Sequence, residues 1–471
     1  MLTPPLSALS AFAEQIDRQR GEHASPLGDA ESKKLSAAYL KLGKTMIEAG
    51  HIDEGLACHD KALGLRPDDL DLNYTALFML ERLNRIEQAW AAMLSLEARL
   101  GGLYESSKKL FILKARLEYR RGNRAVCRAM LEKFLAENPA HSHRYLAYGW
   151  LGKLLDELGE YDAAMAAFDG KNAALLNNPG AAEHLRQNDA ELAAIDTSLD
   201  WYRGQTGLGW QAADTPAELG EPILLAGFPR SGTTLLDQIL DAHSGLAVVE
   251  ERPLLAGIAG RFFDGADKLA ALRDLSGQDI DTLRRTYWSN AADILGQPLG
   301  GCRMVDKLPL NIMHLDIYAR LFPGIKIVVA LRDPRDVILS NHMQLYQLNP
   351  SMAANLSLER SARYYAKVMG LYLLFRERLA GQIHEIRYER LVFEPRQECA
   401  KLLRFLGLEW EEGIERFHEN ARHRRIATPS YDQVTRPIHR DAVARWTNYA
   451  PHLEAIQPTL QPFVEAFGYA R

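Results

Sequence analysis

A glycine-rich turn between an apolar run and an amphipathic segment is the part of this sequence that most clearly predicts chemistry. The apolar run PILLA (Pro222–Ala226) is typical of a buried parallel strand, and GFPRSGTTLLDQIL (Gly227–Leu240) follows it directly. The backbone N–H groups of such a turn, and the dipole of the helix behind it, converge on a bound anion. The sequence therefore predicts an anion-binding loop at the end of this strand.

The loop departs from the nucleotide-binding pattern GxxxxGK[ST] at its lysine. Gly227 and Gly232 have the required separation, but Thr233 and Thr234 follow the second glycine, and Arg230 precedes it. The lysine and its Mg²⁺ neutralise the charge of a transferring phosphoryl group. A sulfuryl group carries one fewer negative charge and needs no Mg²⁺ clamp, so this loop suits a phosphosulfate. A P-loop kinase or NTPase, which the missing lysine disfavours, stays as an alternative.

A second anion site is predicted downstream, in KIVVALRDPRDVILSNHMQ (Lys326–Gln344). Its first half is an apolar strand, and the Asp–Pro pair at 333–334 supplies a good N-cap and first residue for the following helix. Arg332 at the strand end and Ser340, about two turns along the helix, can together hold a phosphate. The alternative is that Arg332 pairs with Asp336 and that Ser340 is merely exposed.

A carboxylate for proton transfer is available in LAVVEERPLL (Leu246–Leu255), where a short strand ends at two glutamates. Ligands of an open α/β sheet collect beyond the carboxyl ends of its strands. Adjacent strand residues point to opposite faces, so only one of Glu250 and Glu251 is expected to enter the site and act as a general base. Alternatively, both glutamates cap a helix that starts near Pro253.

Taken in order, these motifs resemble those of sulfotransferases that use 3′-phosphoadenosine 5′-phosphosulfate (PAPS). GFPRSGTTLL is similar to their 5′-phosphosulfate loop, and the chain most resembles the tyrosylprotein sulfotransferase branch and its bacterial repeat-fused relatives, over about residues 220–450. The resemblance implies an α/β P-loop sulfotransferase domain with a mostly parallel central sheet, PAPS as donor, 3′,5′-adenosine bisphosphate (PAP) as product, and no metal. Arg332 and Ser340 would hold the 3′-phosphate. The implied donor site consists of Arg230, Ser231, Gly232, Thr233, Thr234, Arg332, Ser340, Tyr388, Ser430 and Arg445.

The resemblance also implies catalytic roles. Glu251 matches the base of the family. Lys307, in MVDKLPLNIMHL, matches a lysine that stabilises charge on the departing bisphosphate, a role in which Arg230 would assist. Sulfotransferases of small phenols and alcohols use a histidine as base, so His314 and His342 are kept as stand-ins for Glu251.

The arginine-rich stretch of residues 422–446 suits a lid over an anionic cofactor. Ser430 and Arg445 within it match the late segment that completes the PAPS pocket, although the family usually has lysine at the second position. Upstream, IRYERLVFEP resembles another string of the family, and this resemblance implies that Tyr388 lies near the nucleotide. The alternative is a nucleic-acid patch or a solvated face, but the aromatic interleaving of RNA-binding modules is missing from this stretch.

The front half of the chain repeats with a period of about 34 residues, and later copies slip by a few residues at their junctions. Residues 36–67 superimpose on residues 145–176. Equivalent positions are Gly43 and Gly152, Gly50 and Gly159, and His59 and Phe168. The pattern resembles the tetratricopeptide repeat and predicts about four helix pairs that stack into a curved array. Gly43 and Gly55 would let paired helices approach, and Gly50 would supply the turn between them.

The fold class is therefore multidomain, with an N-terminal α-helical solenoid and a C-terminal α/β domain. The predicted divisions are an N-terminal helical segment (1–35), the repeats (36–180), a linker leading into the next domain (181–220) and the sulfotransferase domain (221–471). Helix stacks of this kind offer a groove for a protein partner or for self-association. No repeat motif carries chemistry itself.

Composition restricts the remaining classes of function. The 471 residues include 56 basic and 61 acidic side chains, and the net charge of −5 gives no global field for nucleic acid. No apolar run is long enough to span a membrane, no signal peptide is evident, and the four cysteines have no CxxC spacing. A cytoplasmic protein without membrane or nucleic-acid partners is expected. Its acceptor, whether a peptide, a glycan or a small hydroxyl compound, stays open, and so does a non-catalytic repeat scaffold with a vestigial sulfotransferase domain.

Overall fold

The computed structural model describes residues 18, 28–48, 51–205, 207–208, 210, 220–296, 299–417 and 440–470. Within these ranges, the chain up to Ala174 forms one compact unit and the chain from Leu175 onward forms another. The first unit is helical throughout its described residues, and the second contains a parallel sheet, as the sequence predicts.

The N-terminal unit consists of successive helix pairs joined by short turns. Its helices are α1 (Asp29–Glu48), α2 (Ile52–Leu65), α3 (Leu70–Arg82), α4 (Ile86–Leu100), the short α5 (Leu103–Ser106), α6 (Lys108–Arg120), α7 (Arg124–Glu137), α8 (Arg144–Glu157) and α9 (Tyr161–Leu176). The turns within the later pairs each hold a left-handed residue, namely Asn84 (φ 59°), Gly122 (φ 85°) and Gly159 (φ 76°). Gly50, the predicted turn residue of the first pair, lies outside the described residues. The arrangement is consistent with a repeat-like solenoid.

Glycines allow the paired helices to approach closely, as predicted. A Cβ atom on Gly43 would lie 2.6 Å from the carbonyl oxygen of Gly55 and 2.6 Å from Cδ2 of His59. In the fourth pair, a Cβ atom on Gly152 would lie 2.7 Å from Cε1 of Phe168. The same contact, a glycine of the first helix against a ring of the second, therefore recurs at the two ends of the array.

The ring of His59 makes the stability of this unit depend on pH. Burial lowers the pKa of His59, against an opposing effect of Asp60. The folded unit thus binds this proton less readily than the unfolded chain, so stability that is present above pH 6.5 is lost as the pH falls through the lowered folded-state pKa. Each unit of pKa difference corresponds to about 1.4 kcal/mol.

We expect His59→Phe, which copies the residue of the fourth pair, to remove this acid sensitivity. The melting temperature of the helical unit, followed by circular dichroism at pH 7.5 and pH 5, should fall less on acidification than in the wild type. The reciprocal variant Phe168→His should make the fall larger. Equal acid sensitivity in all three proteins would contradict the assignment.

The C-terminal unit is built on a five-stranded sheet whose pairings are all parallel, in the order β2–β3–β1–β4–β5. The strands are β1 (Ile223–Gly227), β2 (Leu246–Glu250), β3 (Arg303–Lys307), β4 (Lys326–Leu331) and β5 (Ile383–Arg387). β1 is buried at every position, which explains its uninterrupted apolar sequence. The register sets Gly227 beside Ala330 and Glu250 beside Lys307, so the strand ends that carry the predicted motifs share one edge.

Helices cover both faces of the sheet. They are α10 (Ala181–Arg203), α11 (Thr233–Asp241), α12 (Ala266–Arg273), α13 (Gly277–Leu295), α14 (Leu315–Leu321), α15 (Pro334–Met343), α16 (Pro350–Ala353), α17 (Leu358–Arg378), α18 (Tyr388–Phe393), α19 (Pro395–Leu406), α20 (Ala450–Leu453) and α21 (Gln457–Ala466). Short 3₁₀ turns occur at Ala259–Arg261, Pro309–His314, Ala354–Leu356, Glu412–Arg416, Arg445–Tyr449 and Glu454–Ile456.

Residues 181–203, which the sequence assigns to a linker, form the helix α10 within this unit. α10 packs against α16 and α17, and its Tyr202 donates a hydrogen bond of 2.8 Å to the buried carboxylate of Asp316. Leu192, Ile195 and Leu199 join the main hydrophobic core. The prediction missed this helix because its apolar face becomes evident only when α16 and α17 are in place.

Candidate active site

The predicted anion-binding loop connects β1 to α11, with a backbone that only certain residues tolerate. Gly232 has a φ of 102°, and a Cβ atom there would lie 2.9 Å from Cδ2 of Tyr388. Arg230 is a non-glycine residue with a φ of 72°, a conformation that costs energy and is found mostly where surrounding contacts enforce it. The loop is thus held in a strained shape directly before the N-terminus of α11, where Thr233 and Thr234 are buried.

Polar atoms in this loop region are available to a ligand. Oγ of Ser231 and Nε of Arg332 are both buried and have no hydrogen-bond partner among the residues that the structure describes. A buried hydroxyl and a buried guanidinium N–H without partners are costly unless something fills the site. Both atoms can donate to an oxyanion, so the residues present fit a bound phosphate or sulfate group.

Two arginines and a serine form one hydrogen-bonded group. Nε of Arg230 donates to Oγ of Ser340 over 3.1 Å, and Arg332 donates to the carbonyl oxygens of Arg230 (3.2 Å) and Ala442 (2.5 Å). Arg332 also lies 3.9 Å from a carboxylate oxygen of Asp336, so the pairing of these two residues that the alternative interpretation predicts is present. Ser340, however, is half-buried and bonded to Arg230 instead of being merely exposed.

The positive charges of this group lie close enough to influence one another. Burial lowers the pKa of Arg230, and the nearby charges of Arg332 and Arg445 act in the same direction. The ring of Tyr388 lies under Arg332, with 5.1 Å between its centroid and the guanidinium carbon. An anion among these guanidinium groups would relieve their repulsion. The structure thus brings together four predicted donor-site residues from separate motifs, namely Arg230, Arg332, Ser340 and Tyr388. Arg445 is close enough to affect the pKa of Arg230. Ser430 lies outside the described residues.

The helix behind this group begins as the sequence predicts. The carboxylate of Asp333 accepts from the backbone N–H of Arg335 over 2.9 Å, and Pro334 is the first helical residue. Trp446 stacks on the guanidinium of Arg335 at 3.7 Å and donates its backbone N–H to Asp336 over 2.8 Å. These contacts fasten the segment that carries Arg445 to α15.

A buried lysine surrounded by carboxylates ends β3. Nζ of Lys307 is fully buried and lies 2.9 Å from Glu251, 3.0 Å from Asp237 and 3.6 Å from Glu250. Burial opposes the charged ammonium, but the carboxylates of Asp237, Glu251 and Glu250 outweigh it and raise the pKa of Lys307. Burial also raises the pKa of Asp237, against the effect of the ammonium.

Both glutamates at the end of β2 turn toward Lys307, which corrects the expectation that only one would. Strand alternation stops at Glu250, because Glu251 adopts a left-handed φ of 49° and donates its N–H to the carbonyl oxygen of Lys307 over 2.7 Å. The helix-capping alternative is not supported, since the next helical turn in the described chain is the 3₁₀ segment Ala259–Arg261.

Two residues of this site, Asp237 and Tyr346, are not predicted from the sequence. Asp237 follows the loop as an acid within the buried stretch LLDQIL, and a buried acid that needs a counter-ion is the signal that could have revealed it. Tyr346 donates to Asn341 over 2.7 Å, and Asn341 in turn donates to the carbonyl of Pro229 over 2.9 Å. Burial raises the pKa of Tyr346, and its hydroxyl responds to the charges of Arg230 and Glu251.

The two histidines kept as stand-ins occupy other surroundings. His314 packs edge-on against Phe263, with ring centroids 4.8 Å apart, and burial lowers its pKa to about 4. His342 is buried within α15. The carboxylate of Glu251, by contrast, already contacts Lys307 and is about one-third exposed.

Comparison with known proteins relates this part of the chain to sulfotransferases. Residues 222–412 match the sequence model of the sulfotransferase family, which supports a sulfotransferase family domain in this part of the chain. An uncharacterized protein of Aquifex aeolicus is 27% identical over 252 residues, which are 51% of this chain and 32% of that protein. Protein-tyrosine sulfotransferase 1 of Danio rerio is 24% identical over 260 residues, which are 52% of this chain and 72% of that protein. The match thus spans about a third of the Aquifex protein's own length.

Solved structures of sulfotransferases are also similar to this chain. The sulfotransferase domain from the curacin biosynthetic pathway is 22% identical, covers 53% of this chain and 98% of that domain, and has a TM-score of 0.38.

Among the described residues, every helix is too short or too polar to span a bilayer. The same residues contain no group of three or more His, Cys, Asp or Glu side chains that could hold a metal ion. A cytoplasmic location and a metal-free reaction stay predictions.

Proposed function

We propose that the C-terminal unit transfers a sulfuryl group from PAPS to an acceptor hydroxyl, with a phenol such as a peptide tyrosine as the first class of acceptor. The observation that carries this proposal is a juxtaposition at one edge of a parallel sheet. The arginine group around Arg230 and Arg332 lies there together with the Lys307–Glu251 ion pair, within a sulfotransferase family domain. The phenol is proposed because several relatives are named protein-tyrosine sulfotransferases.

In this proposal, the loop from Arg230 to Thr234 would hold the 5′-phosphosulfate, and Arg332 with Ser340 would hold the 3′-phosphate. PAPS supplies the sulfuryl group already activated as an anhydride with phosphate. The unpartnered Ser231 hydroxyl and Arg332 N–H support an oxyanion ligand at this place. Tyr388, whose ring packs against Arg332 and Gly232, would lie beside the nucleotide.

Glu251 would take the proton of the acceptor hydroxyl. The acceptor oxygen then forms its bond to sulfur while the S–O bond to the 5′-phosphate breaks. Lys307 and Arg230 would stabilise the phosphate oxygen that keeps the electron pair of that bond. The proton therefore ends on Glu251, and the negative charge of the leaving group is met by two cations of this chain.

Transfer of radiolabelled sulfate from PAPS tests the proposal. The full chain is incubated in EDTA with tyrosine peptides, glycans and small phenols, and labelled acceptor and released PAP are quantified together. We expect label in at least one hydroxyl compound and PAP in equal amount. No transfer to any acceptor, combined with phosphoryl transfer from Mg·ATP, would overturn the proposal in favour of a kinase.

A further inference from the structure

Asp237 is the most deeply buried carboxylate around Lys307 and has no role in the reaction described above. Its side chain is 1% exposed, and one oxygen lies 3.0 Å from Nζ of Lys307. Its other oxygen accepts from Nε2 of Gln238 over 2.8 Å. Because α11 is buried along its length behind the loop, this carboxylate has little freedom to move.

The three carboxylates around Lys307 differ in their freedom to leave it. Asp237 is enclosed, Glu250 lies farther away at 3.6 Å, and Glu251 is 35% exposed although it contacts the ammonium at 2.9 Å. Of the three N–H donors of the ammonium, one donates to Glu251 over 2.9 Å. A ligand that takes the place of one carboxylate at Lys307 would displace Glu251, because Glu251 is the most exposed of the three.

A purely structural role for Asp237 is hard to justify on energetic grounds. A buried ion pair often contributes less to stability than well-packed apolar residues of similar volume. The neighbours of Asp237 in α11, Leu235, Leu236, Ile239 and Leu240, are buried and apolar, so leucine would suit the position better if packing alone mattered. Removing the carboxylate while keeping the lysine, in contrast, leaves a buried charge with less compensation.

We propose that Asp237 is a positioning residue, the permanent counter-ion that keeps Lys307 charged and in place when Glu251 leaves it to act as base. This inference rests on the proposed function, because Glu251 is taken to leave Lys307 when the sulfate donor binds. Among the described residues, the carboxylates within 4 Å of Nζ are Asp237 on α11, Glu250 at the end of β2 and Glu251 directly after it. Asp306, the preceding residue of β3, instead accepts hydrogen bonds from Tyr287 and Tyr318.

The test uses Asp237→Asn, with Asp306→Asn as a matched control. Both residues are buried aspartates, and both replacements keep the shape of the side chain. The first readout is the titration of Lys307 in the full chain without ligand, followed by NMR after lysine labelling and assigned with Lys307→Arg. We expect the midpoint to fall by about 1–3 pH units in Asp237→Asn. The shift should be smaller in Glu251→Gln, because its charge is better screened, and smallest in Asp306→Asn.

The second readout is the pH dependence of sulfuryl transfer. The alkaline limb of kcat/KM, which reports the ligand-free chain, should move to lower pH in Asp237→Asn by the same interval, while the affinity for PAP changes by less than about threefold. An unchanged Lys307 midpoint in Asp237→Asn would overturn the inference. A shifted midpoint in a chain without sulfuryl transfer would instead uphold the counter-ion role and contradict the proposed function, so the two failures are distinguishable.

Discussion

Glu251→Ala is expected to lower kcat by about 10²–10⁴-fold while PAP binding stays nearly intact. The physical reason is that Glu251 is the partly exposed carboxylate beside Lys307, so its loss removes the proposed acceptor of the hydroxyl proton. Lys307 would keep Asp237 and Glu250 as counter-ions, so its charge and position should survive. Steady-state kinetics and titration of PAP measure the two quantities separately.

The neighbouring variant Glu250→Ala is the control for this experiment. Glu250 also faces Lys307, but from 3.6 Å, and it ends a strand paired with β3. We expect its kcat to stay within about tenfold of the wild type, because only Glu251 is proposed to receive the proton. If Glu251→Ala retains kcat, or if Glu250→Ala loses more of it, the base has been assigned to the wrong carboxylate.

Arg332→Ala is expected to raise the Kd of PAP by about 10- to 100-fold, because it removes hydrogen bonds from a charged donor to the 3′-phosphate. The Kd of 5′-AMP, which lacks that phosphate, should change by less than about threefold. Titration calorimetry with both nucleotides measures the difference. Arg332→Lys keeps the charge but not the planar fork, and should fall between the wild type and the alanine variant.

The prediction for Arg332→Ala requires that the loop keep its shape when Arg332 is removed. Arg332 also donates to the carbonyl oxygens of Arg230 and Ala442, so its loss could loosen the loop for any nucleotide. Equal losses for PAP and 5′-AMP would show that Arg332 supports the loop and does not contact the 3′-phosphate. The 3′-phosphate assignment would then be wrong.

Local sequence patterns predict the elements of this molecule well. The buried β1, the turn and α11 follow from an apolar run, two glycines and an amphipathic segment, and the Asp333–Pro334 start of α15 follows from capping chemistry. The contact of Gly152 with Phe168, and of Gly43 with His59, agrees with the repeat alignment. In each of these cases, the determining interactions lie within the segment or recur at a fixed period.

Long-range contacts account for what the sequence does not predict. The role of Asp237 depends on its ion pair with Lys307, which is 70 positions away in the sequence. The alternation of strand residues does not predict the left-handed backbone of Glu251, which turns its side chain toward the same lysine. The apolar face of α10 has its partners in α16 and α17, which come far later in the chain. Such pairings depend on the order of strands in the sheet, which no single motif encodes.

Thermal unfolding of the full chain with PAP in EDTA, compared with Mg·ATP, tests the central claim most directly because it requires no knowledge of the acceptor. A ligand at about 100 times its Kd should stabilise the unit that binds it by about 2.7 kcal/mol. We predict that PAP alone raises the melting temperature and that Arg332→Ala reduces this shift. Stabilisation by Mg·ATP but not by PAP would contradict a PAPS site and the roles proposed for Arg332 and Ser340.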